Sequence, residues 1–172
     1  MRITLFLIML VSTFVSCSEN LENRHGTTGK LTRGVSIAET FSELEPIISE
    51  HDDTTYVINF WATSCPPCIK EMPHFNQLHE TYQEGKLSVH LVSLDMKRDI
   101  DSRVVPFIAK YQIRPEVVLL ADQNYSAWTE KIDSSWYGAL PATLIIKNGE
   151  RKFFMGAFDT YADLENEVIP FL

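Results

Sequence analysis

Two cysteines, Cys65 and Cys68, are the residues of this chain best suited to do chemistry. They stand in the run YVINFWATSCPPCIKEMP, where an apolar predicted strand is followed by a short turn and then by a helix that begins beside Cys65. Two thiols at this spacing can close a disulfide across one helical turn. A helix N-terminus favours the thiolate form of the first thiol, and only the thiolate attacks a disulfide. The pattern therefore predicts thiol–disulfide exchange.

A zinc site is the main alternative use of such a pair, because structural zinc takes four ligands. The third cysteine, Cys17, lies far away near the N-terminus. His74 and His79 follow the pair, but on a helix they point in different directions, and the gap from Cys68 to His74 is too short for a zinc finger. We therefore expect no metal and no bound cofactor. An inert pair of free thiols is the other alternative.

The composition limits the possible classes of protein. The chain has 172 residues, 45% of them hydrophobic, and a formal net charge of −8. This length suits one domain preceded by a leader, and the apolar fraction is sufficient for a core. No basic patch is evident, so nucleic acid is not expected as a partner. We expect a monomer.

The N-terminus has the pattern of an export signal. A single positive charge precedes the apolar run Ile3–Val15, which is shorter than the roughly 20 residues that a spanning helix needs. Residues 1–16 are therefore predicted to be a signal peptide. The residues that lead into Cys17 resemble a bacterial lipobox, although Phe14 replaces the usual leucine, and this resemblance implies lipidation of Cys17. An ordinary cleaved signal peptide and an uncleaved anchor are the alternatives.

Residues 17–33 are polar and show no apolar period, which predicts a flexible tether. The folded domain is expected over residues 34–172. A lipid-anchored chain of this kind would hold its domain at a bacterial membrane, facing the periplasm or the outer surface.

From Gly34 onward the pattern predicts alternating strands and helices. Strands are predicted at 56–61, 88–94, 117–120, 142–147 and 151–155, and helices around 41–48, from 66, and at 101–111, 125–132 and 162–172. Asn148-Gly149 between the last two strands is typical of a hairpin turn. This order predicts an α/β sandwich around a mixed sheet.

Three features together resemble the thioredoxin superfamily: the run WATSCPPCIKEMP, the later GALPATLII, and the final hairpin with its helix. The resemblance is closest to the exported, membrane-tethered TlpA/ResA-like branch, and it extends from Gly34 to the C-terminus. It implies a thioredoxin-like fold, a central mixed β-sheet with helices on both faces. It also implies that Cys65 attacks the target disulfide and that Cys68 resolves the mixed disulfide.

The same resemblance implies a surface that binds substrate. Trp61 matches a tryptophan that shields the first thiol, although plain core packing is the alternative. Pro66 and Pro67 lie between the cysteines, and Pro141 matches the cis-proline that lies against the disulfide. The backbone of Leu140 could then pair with an extended client peptide beside the thiols.

The group that handles the proton of Cys68 departs from many thioredoxins. Those proteins carry a buried aspartate where this chain has Asn59, which does not titrate. The TlpA/ResA-like branch often has a glutamate three residues after the second cysteine, and here that residue is Glu71. It lies at the edge of the apolar stripe of its helix, where partial burial would raise its pKa toward neutrality. Glu71 is therefore the predicted acid–base group, with a solvated glutamate as the alternative and Asp95 as a weaker candidate.

The segment Asp122–Tyr137 looks longer than the connection usual in the family. Trp136 lies in this segment just before the predicted cis-proline. We expect Trp136 to form part of one wall of a substrate groove, and the alternative is that the aromatic residues cap the core.

Taken together, the resemblance implies an extracytoplasmic thiol–disulfide oxidoreductase. Its clients would be proteins with disulfides, for example apocytochromes, and a membrane thiol relay would supply electrons for their reduction. A disulfide oxidase or isomerase would use the same residues. A copper-handling module of the same fold is an alternative from a different class, but it uses a wider cysteine spacing and a histidine ligand, neither of which is evident. A peroxidase normally has a lone reactive cysteine in another motif.

Overall fold

The computed structural model describes residues 30–32, 34–49 and 52–172. The predicted signal peptide, Cys17 and the tether as far as residue 29 lie outside these residues. Within the described ranges, no helix is both long enough and apolar enough to cross a membrane.

Seven strands and five α-helices make up the described chain. The strands are β1 (Lys30–Thr32), β2 (Val35–Ala38), β3 (Thr55–Trp61), β4 (Leu87–Ser93), β5 (Glu116–Leu120), β6 (Ala142–Lys147) and β7 (Glu150–Met155). The helices are α1 (Phe41–Ile48), α2 (Pro66–Tyr82), α3 (Val105–Tyr111), α4 (Thr129–Ile132) and α5 (Tyr161–Val168).

All seven strands join one mixed sheet in the order β1-β2-β5-β4-β3-β6-β7. Strands β2, β5, β4 and β3 run parallel. Strand β6 then pairs antiparallel with β3, and β7 pairs antiparallel with β6. Strand β3 is buried along its whole length, as expected for a central strand. Helix α2, which follows β3, therefore starts from the middle of the sheet.

Side chains alternate along β3, and this alternation separates two apolar layers. Val57 and Trp61 face the layer that contains α2, α3 and α5, whereas Ile58 and Phe60 face the layer that contains α1 and the aromatic residues around α4. The prediction of a central mixed sheet with helices on both faces is confirmed.

The first two strands were not predicted. Lys30–Thr32 pairs antiparallel with Val35–Ala38, so the sheet begins before the predicted domain boundary at residue 34, and the last part of the predicted tether belongs to the fold. These strands are too short to show a period of two in the sequence. Their stability comes from pairing with each other and with β5, a partner far along the chain.

The predicted helix at 101–111 is less regular than expected. Residues 97–99 form a 3₁₀ turn and Ile100–Val104 a π-helical turn, and regular α-helix begins only at Val105. Pro106 lies in the first turn of α3, where its missing N–H is tolerated, but a regular helix could not continue through it from residue 101 without losing a hydrogen bond. The predicted helix at 125–132 likewise divides into a 3₁₀ turn and the short helix α4.

The turn between β6 and β7 has the geometry that its sequence predicts. Asn148 and Gly149 both have positive φ values, 50° and 83°. Both central residues of a tight hairpin turn need this conformation, and asparagine followed by glycine tolerates it best.

Candidate functional site

The turn that joins β3 to α2 presents the cysteine pair at the edge of the sheet. Cys65 is the N-cap residue of α2, and the two sulfurs form a disulfide. Cys65 is partly exposed, whereas Cys68 is 0% exposed. An attacking thiolate from another protein can therefore reach the sulfur of Cys65 but not that of Cys68.

The start of α2 also sets the electrostatic environment of Cys65. The backbone N–H of Cys68 donates a hydrogen bond to the Cys65 Sγ, with an N···S distance of 3.3 Å. The sulfur thus lies at the positive end of a helix of 17 residues, which favours negative charge there. Once the disulfide is reduced, Cys65 is the thiol that this position activates.

Asp95 holds the turn that carries Cys65. Its carboxylate accepts hydrogen bonds from the backbone N–H and the hydroxyl of Thr63, at 2.9 Å and 2.6 Å, and a third from the hydroxyl of Ser93 at 2.8 Å. Because Thr63 lies two residues before Cys65, this clamp joins the active-site turn to the end of β4. The weaker acid–base candidate thus has a positioning role.

Glu71 is completely buried on α2, one turn beyond Cys68. Its Oε1 accepts a hydrogen bond from the Asn59 side-chain amide at 2.9 Å, and its Oε2 accepts one from the backbone N–H of Phe158 at 3.0 Å. Burial raises the pKa of Glu71 to about 7, although both hydrogen bonds oppose this shift. Burial is therefore more complete than the sequence indicated, and the carboxyl can hold or release a proton near neutral pH.

The partners of Glu71 connect it to the Leu140–Pro141 loop. Asn59 donates a second hydrogen bond to the hydroxyl of Thr143 at 3.0 Å, two residues after Pro141. The peptide bond between Leu140 and Pro141 is cis. Thr143 was not identified in the sequence as a site residue, because a buried threonine within an apolar strand looks like ordinary core.

The two tryptophans predicted to contact substrate are inaccessible in this structure. Trp61 is 0% exposed and Trp136 is 2% exposed. Trp61 packs against Phe107 in the layer that contains α2. Trp136 packs against Phe60 with ring centroids 4.7 Å apart, and its indole N–H donates to the carbonyl of Ala139. In this structure both tryptophans therefore pack in the core, and Trp136 also supports the loop before Pro141.

Two hollows lie beside the residues that flank the disulfide. One of about 380 Å³ is lined by Thr63, Ile69, Arg103, Pro106, Phe107, Lys110 and Tyr111. The other, of about 250 Å³, is lined by Leu94, Tyr125, Tyr137, Gly138 and Leu140. Tyr137 is 80% exposed, so it is the most accessible aromatic side chain of the 122–137 segment.

The raised pKa of Glu71 predicts a stability that depends on pH. The folded protein holds this proton up to about pH 7, whereas the unfolded chain releases it near the usual value of 4.5. The contribution of Glu71 to stability is therefore greatest below pH 4.5 and is lost as the pH rises to about 7. The loss should be on the order of 3 kcal/mol.

The measurement is urea unfolding of the oxidised protein at a series of pH values, with Glu71→Gln as the matched control. Other groups titrate in both proteins, so the quantity of interest is the difference between their free energies of unfolding. The free energy of unfolding of the wild type minus that of Glu71→Gln should decrease between pH 4.5 and pH 7, because only the wild type loses the proton of Glu71. A difference that is constant with pH would contradict the raised pKa.

Comparison with known proteins identifies the family. Residues 44–150 match the AhpC/TSA family. ResA of Geobacillus kaustophilus, a thiol-disulfide oxidoreductase, is 28% identical over 70% of this chain and 65% of its own length, so the chain spans slightly less than two thirds of that relative. ResA of Oceanobacillus iheyensis is 30% identical over 98% of this chain and 88% of its own length.

A solved structure supports the same assignment of the fold. The thioredoxin-related protein from Neisseria meningitidis serogroup B superimposes with a TM-score of 0.60 at 21% identity, over 72% of this chain and 88% of that one. The fold is thus thioredoxin-like. The chain belongs to the AhpC/TSA family, and the relatives described above are named as thiol-disulfide oxidoreductases.

Proposed function

We propose that this protein is a thiol–disulfide oxidoreductase that reduces disulfides of client proteins outside the cytoplasm. The observation that carries the proposal is the pair at the start of α2, with one accessible sulfur at the helix N-cap and one buried sulfur behind it. The relatives named as thiol-disulfide oxidoreductases support the same chemistry.

Client reduction takes two exchange steps. The Cys65 thiolate attacks one sulfur of the client disulfide, and the other client sulfur leaves as a thiolate. Cys68 then loses its proton and attacks the Cys65 Sγ, which releases the second client sulfur and closes the Cys65–Cys68 disulfide. Two electrons pass from the enzyme to the client, and the oxidised enzyme has the disulfide seen in the structure.

Glu71 is the proposed acceptor of the Cys68 proton. Burial makes Cys68 reluctant to ionise, and Glu71 lies one helical turn away within the same apolar layer. With its pKa raised to about 7, the carboxylate is a much better base than an exposed glutamate and can still release the proton afterwards.

The client is proposed to bind across the exposed Pro66 and Pro67 and the half-buried Leu140. Its backbone would pair with Leu140 next to Pro141. The two hollows on either side would take flanking side chains, one with Arg103 and Lys110 at its rim and the other with Tyr137.

The proposed location is a membrane surface. The apolar run and the lipobox-like residues before Cys17 support a lipid anchor, and the polar segment that follows supports a tether. In such a compartment a membrane thiol relay would have to reduce the Cys65–Cys68 disulfide again after each cycle. Apocytochromes awaiting haem are one proposed class of client.

Cys68→Ser should trap clients as mixed disulfides, because Cys65 can still attack but nothing resolves the product. Incubation of the reduced variant with a disulfide-bonded peptide should give an adduct visible on a non-reducing gel and by mass spectrometry. Cys65→Ser, the matched control, should give no adduct. Equal trapping by both variants would contradict the assignment of Cys65 as the attacking thiol and Cys68 as the resolving one.

The reduction potential of the pair tests the direction of electron flow. Equilibration with glutathione or dithiothreitol buffers can be followed by tryptophan fluorescence, since Trp61 lies in the apolar layer beside the cysteines. A reductase should have a potential near that of thioredoxin, about −270 mV. A value near about −120 mV, that of a strong disulfide donor, would make the protein an oxidase.

Glu71→Gln should slow the second exchange step by about 100-fold at pH 7, the lower end of what general bases contribute. In the wild type the rate should fall as the pH decreases below about 7, because Glu71 becomes protonated. Stopped-flow release of the client thiol from a preformed mixed disulfide measures this step. A pH profile that is the same in both proteins would exclude Glu71 as the base.

A further inference from the structure

The amide of Asn59 has an unusual set of partners. The residue is 0% exposed, and its Nδ2 donates to both the Glu71 Oε1 and the Thr143 Oγ1, at 2.9 Å and 3.0 Å. Its Oδ1, although buried, accepts no hydrogen bond from the part of the chain that the structure describes. This amide is therefore bonded through its nitrogen only. An unpaired buried acceptor costs free energy.

This arrangement suits only the ionised form of Glu71. Both carboxylate oxygens face donors, one the Asn59 amide and the other the Phe158 N–H. A protonated Glu71 also has an O–H that must donate, and neither partner offers an acceptor. The Phe158 N–H is fixed in the backbone, whereas the two ends of an asparagine amide are almost identical in shape and can exchange places.

We propose that Asn59 is a positioning residue whose amide turns by half a rotation when Glu71 takes up a proton. Its Oδ1 then accepts a hydrogen bond from the protonated Glu71 Oε1 and a second from the Thr143 hydroxyl. The threonine hydroxyl can follow because it both accepts and donates. The inference rests on the proposed function in one respect, namely that Glu71 gains and loses a proton during exchange.

Each orientation leaves one end of the amide without a partner, the oxygen in the present orientation and the two N–H donors after the turn. In either one, a single end of the amide contacts Glu71 and Thr143, and the other end points where Oδ1 now lies without a partner. Thr143 has a hydrogen bond to Asn59 in both. The charge on Glu71 therefore selects the orientation.

Other charged groups on the surrounding elements are less suited to follow this proton. On α2, Lys70 is exposed and His74 is partly exposed, and Asp159 after β7 is exposed. Lys152 on β7 is exposed as well and pairs with Glu167 on α5. The upward shift in the pKa of Glu71 comes from burial, and its two hydrogen bonds oppose it. Within this layer, Asn59 and Thr143 are the polar side chains that extend the contacts of Glu71 into the sheet.

Nuclear magnetic resonance of the full, oxidised chain tests the rotation directly. The two side-chain amide protons of Asn59 are followed between pH 5 and pH 9, together with the carboxyl carbon of Glu71. If the amide turns, both protons leave their acceptors, so both resonances should shift with the midpoint of the Glu71 titration. If the amide stays in place, only the proton that faces Glu71 should shift, and that result would overturn the proposal.

Three variants serve as controls. Glu71→Gln should make both Asn59 resonances independent of pH. Thr143→Val removes the partner of the second amide proton, so the resonance of that proton at high pH should differ from that of the wild type, whereas Thr143→Ser should behave like the wild type. A Thr143→Val protein whose Asn59 resonances match those of the wild type would contradict the role of the hydroxyl.

This measurement is independent of the exchange reaction. If both amide protons follow Glu71 but Glu71→Gln leaves the exchange rate unchanged, the proposed role of Glu71 in catalysis fails and the coupled rotation stands. If Glu71→Gln slows exchange but only one proton shifts, the base is right and the rotation is wrong.

Discussion

The burial of a single carboxyl group constrains the whole active-site layer. Glu71 is fully removed from water, and an ionised carboxylate in that position is tolerated only if donors meet its oxygens. One donor comes from β3 through Asn59 and the other from the segment after β7 through Phe158. Helix α2, the central strand and the C-terminal part of the chain must therefore be in register before the carboxyl can be accommodated.

The same burial sets the pKa of the carboxyl at position 71. An apolar residue at position 71 would pack well but could not hold a proton, and an exposed glutamate would titrate far below neutrality. Burial and hydrogen bonding act in opposite directions on the pKa of Glu71, and burial is the larger effect. One side chain thus combines a place in the packed core with a proton that can be exchanged near neutral pH.

Much of this organisation was visible in the sequence because it is local. The cysteine pair, the start of α2 at Pro66, the Asn148-Gly149 turn and the edge position of Glu71 all follow from residues close together in the chain. Strands β1 and β2 were missed because pairing with a distant strand, rather than an apolar pattern, stabilises them. The clamp from Asp95 to Thr63 and the link from Asn59 to Thr143 were missed for the same reason, since each joins different strands or loops.

The aromatic residues of the 122–137 segment show a second limit of sequence interpretation. Trp128 and Trp136 stack edge to face with ring centroids 5.6 Å apart, and both are buried against Phe60. Sequence alone could not separate them from Tyr137, the neighbour that is exposed. Core packing of these two tryptophans thus holds the segment before Pro141, whereas Tyr137 lies on the surface.

The two prolines that open α2 have a consequence for the helix end as a binding site. A helix normally offers several free N–H groups at its N-terminus, which can hold an anion. Here Pro66 and Pro67 have none, the N–H of Cys68 bonds to the Cys65 sulfur, and the N–H of Cys65 bonds to the carbonyl of Ala62. The first turn of α2 therefore has no unpaired backbone N–H to offer a phosphate or a free carboxylate. The donor that remains at this helix end, the N–H of Cys68, is directed at sulfur.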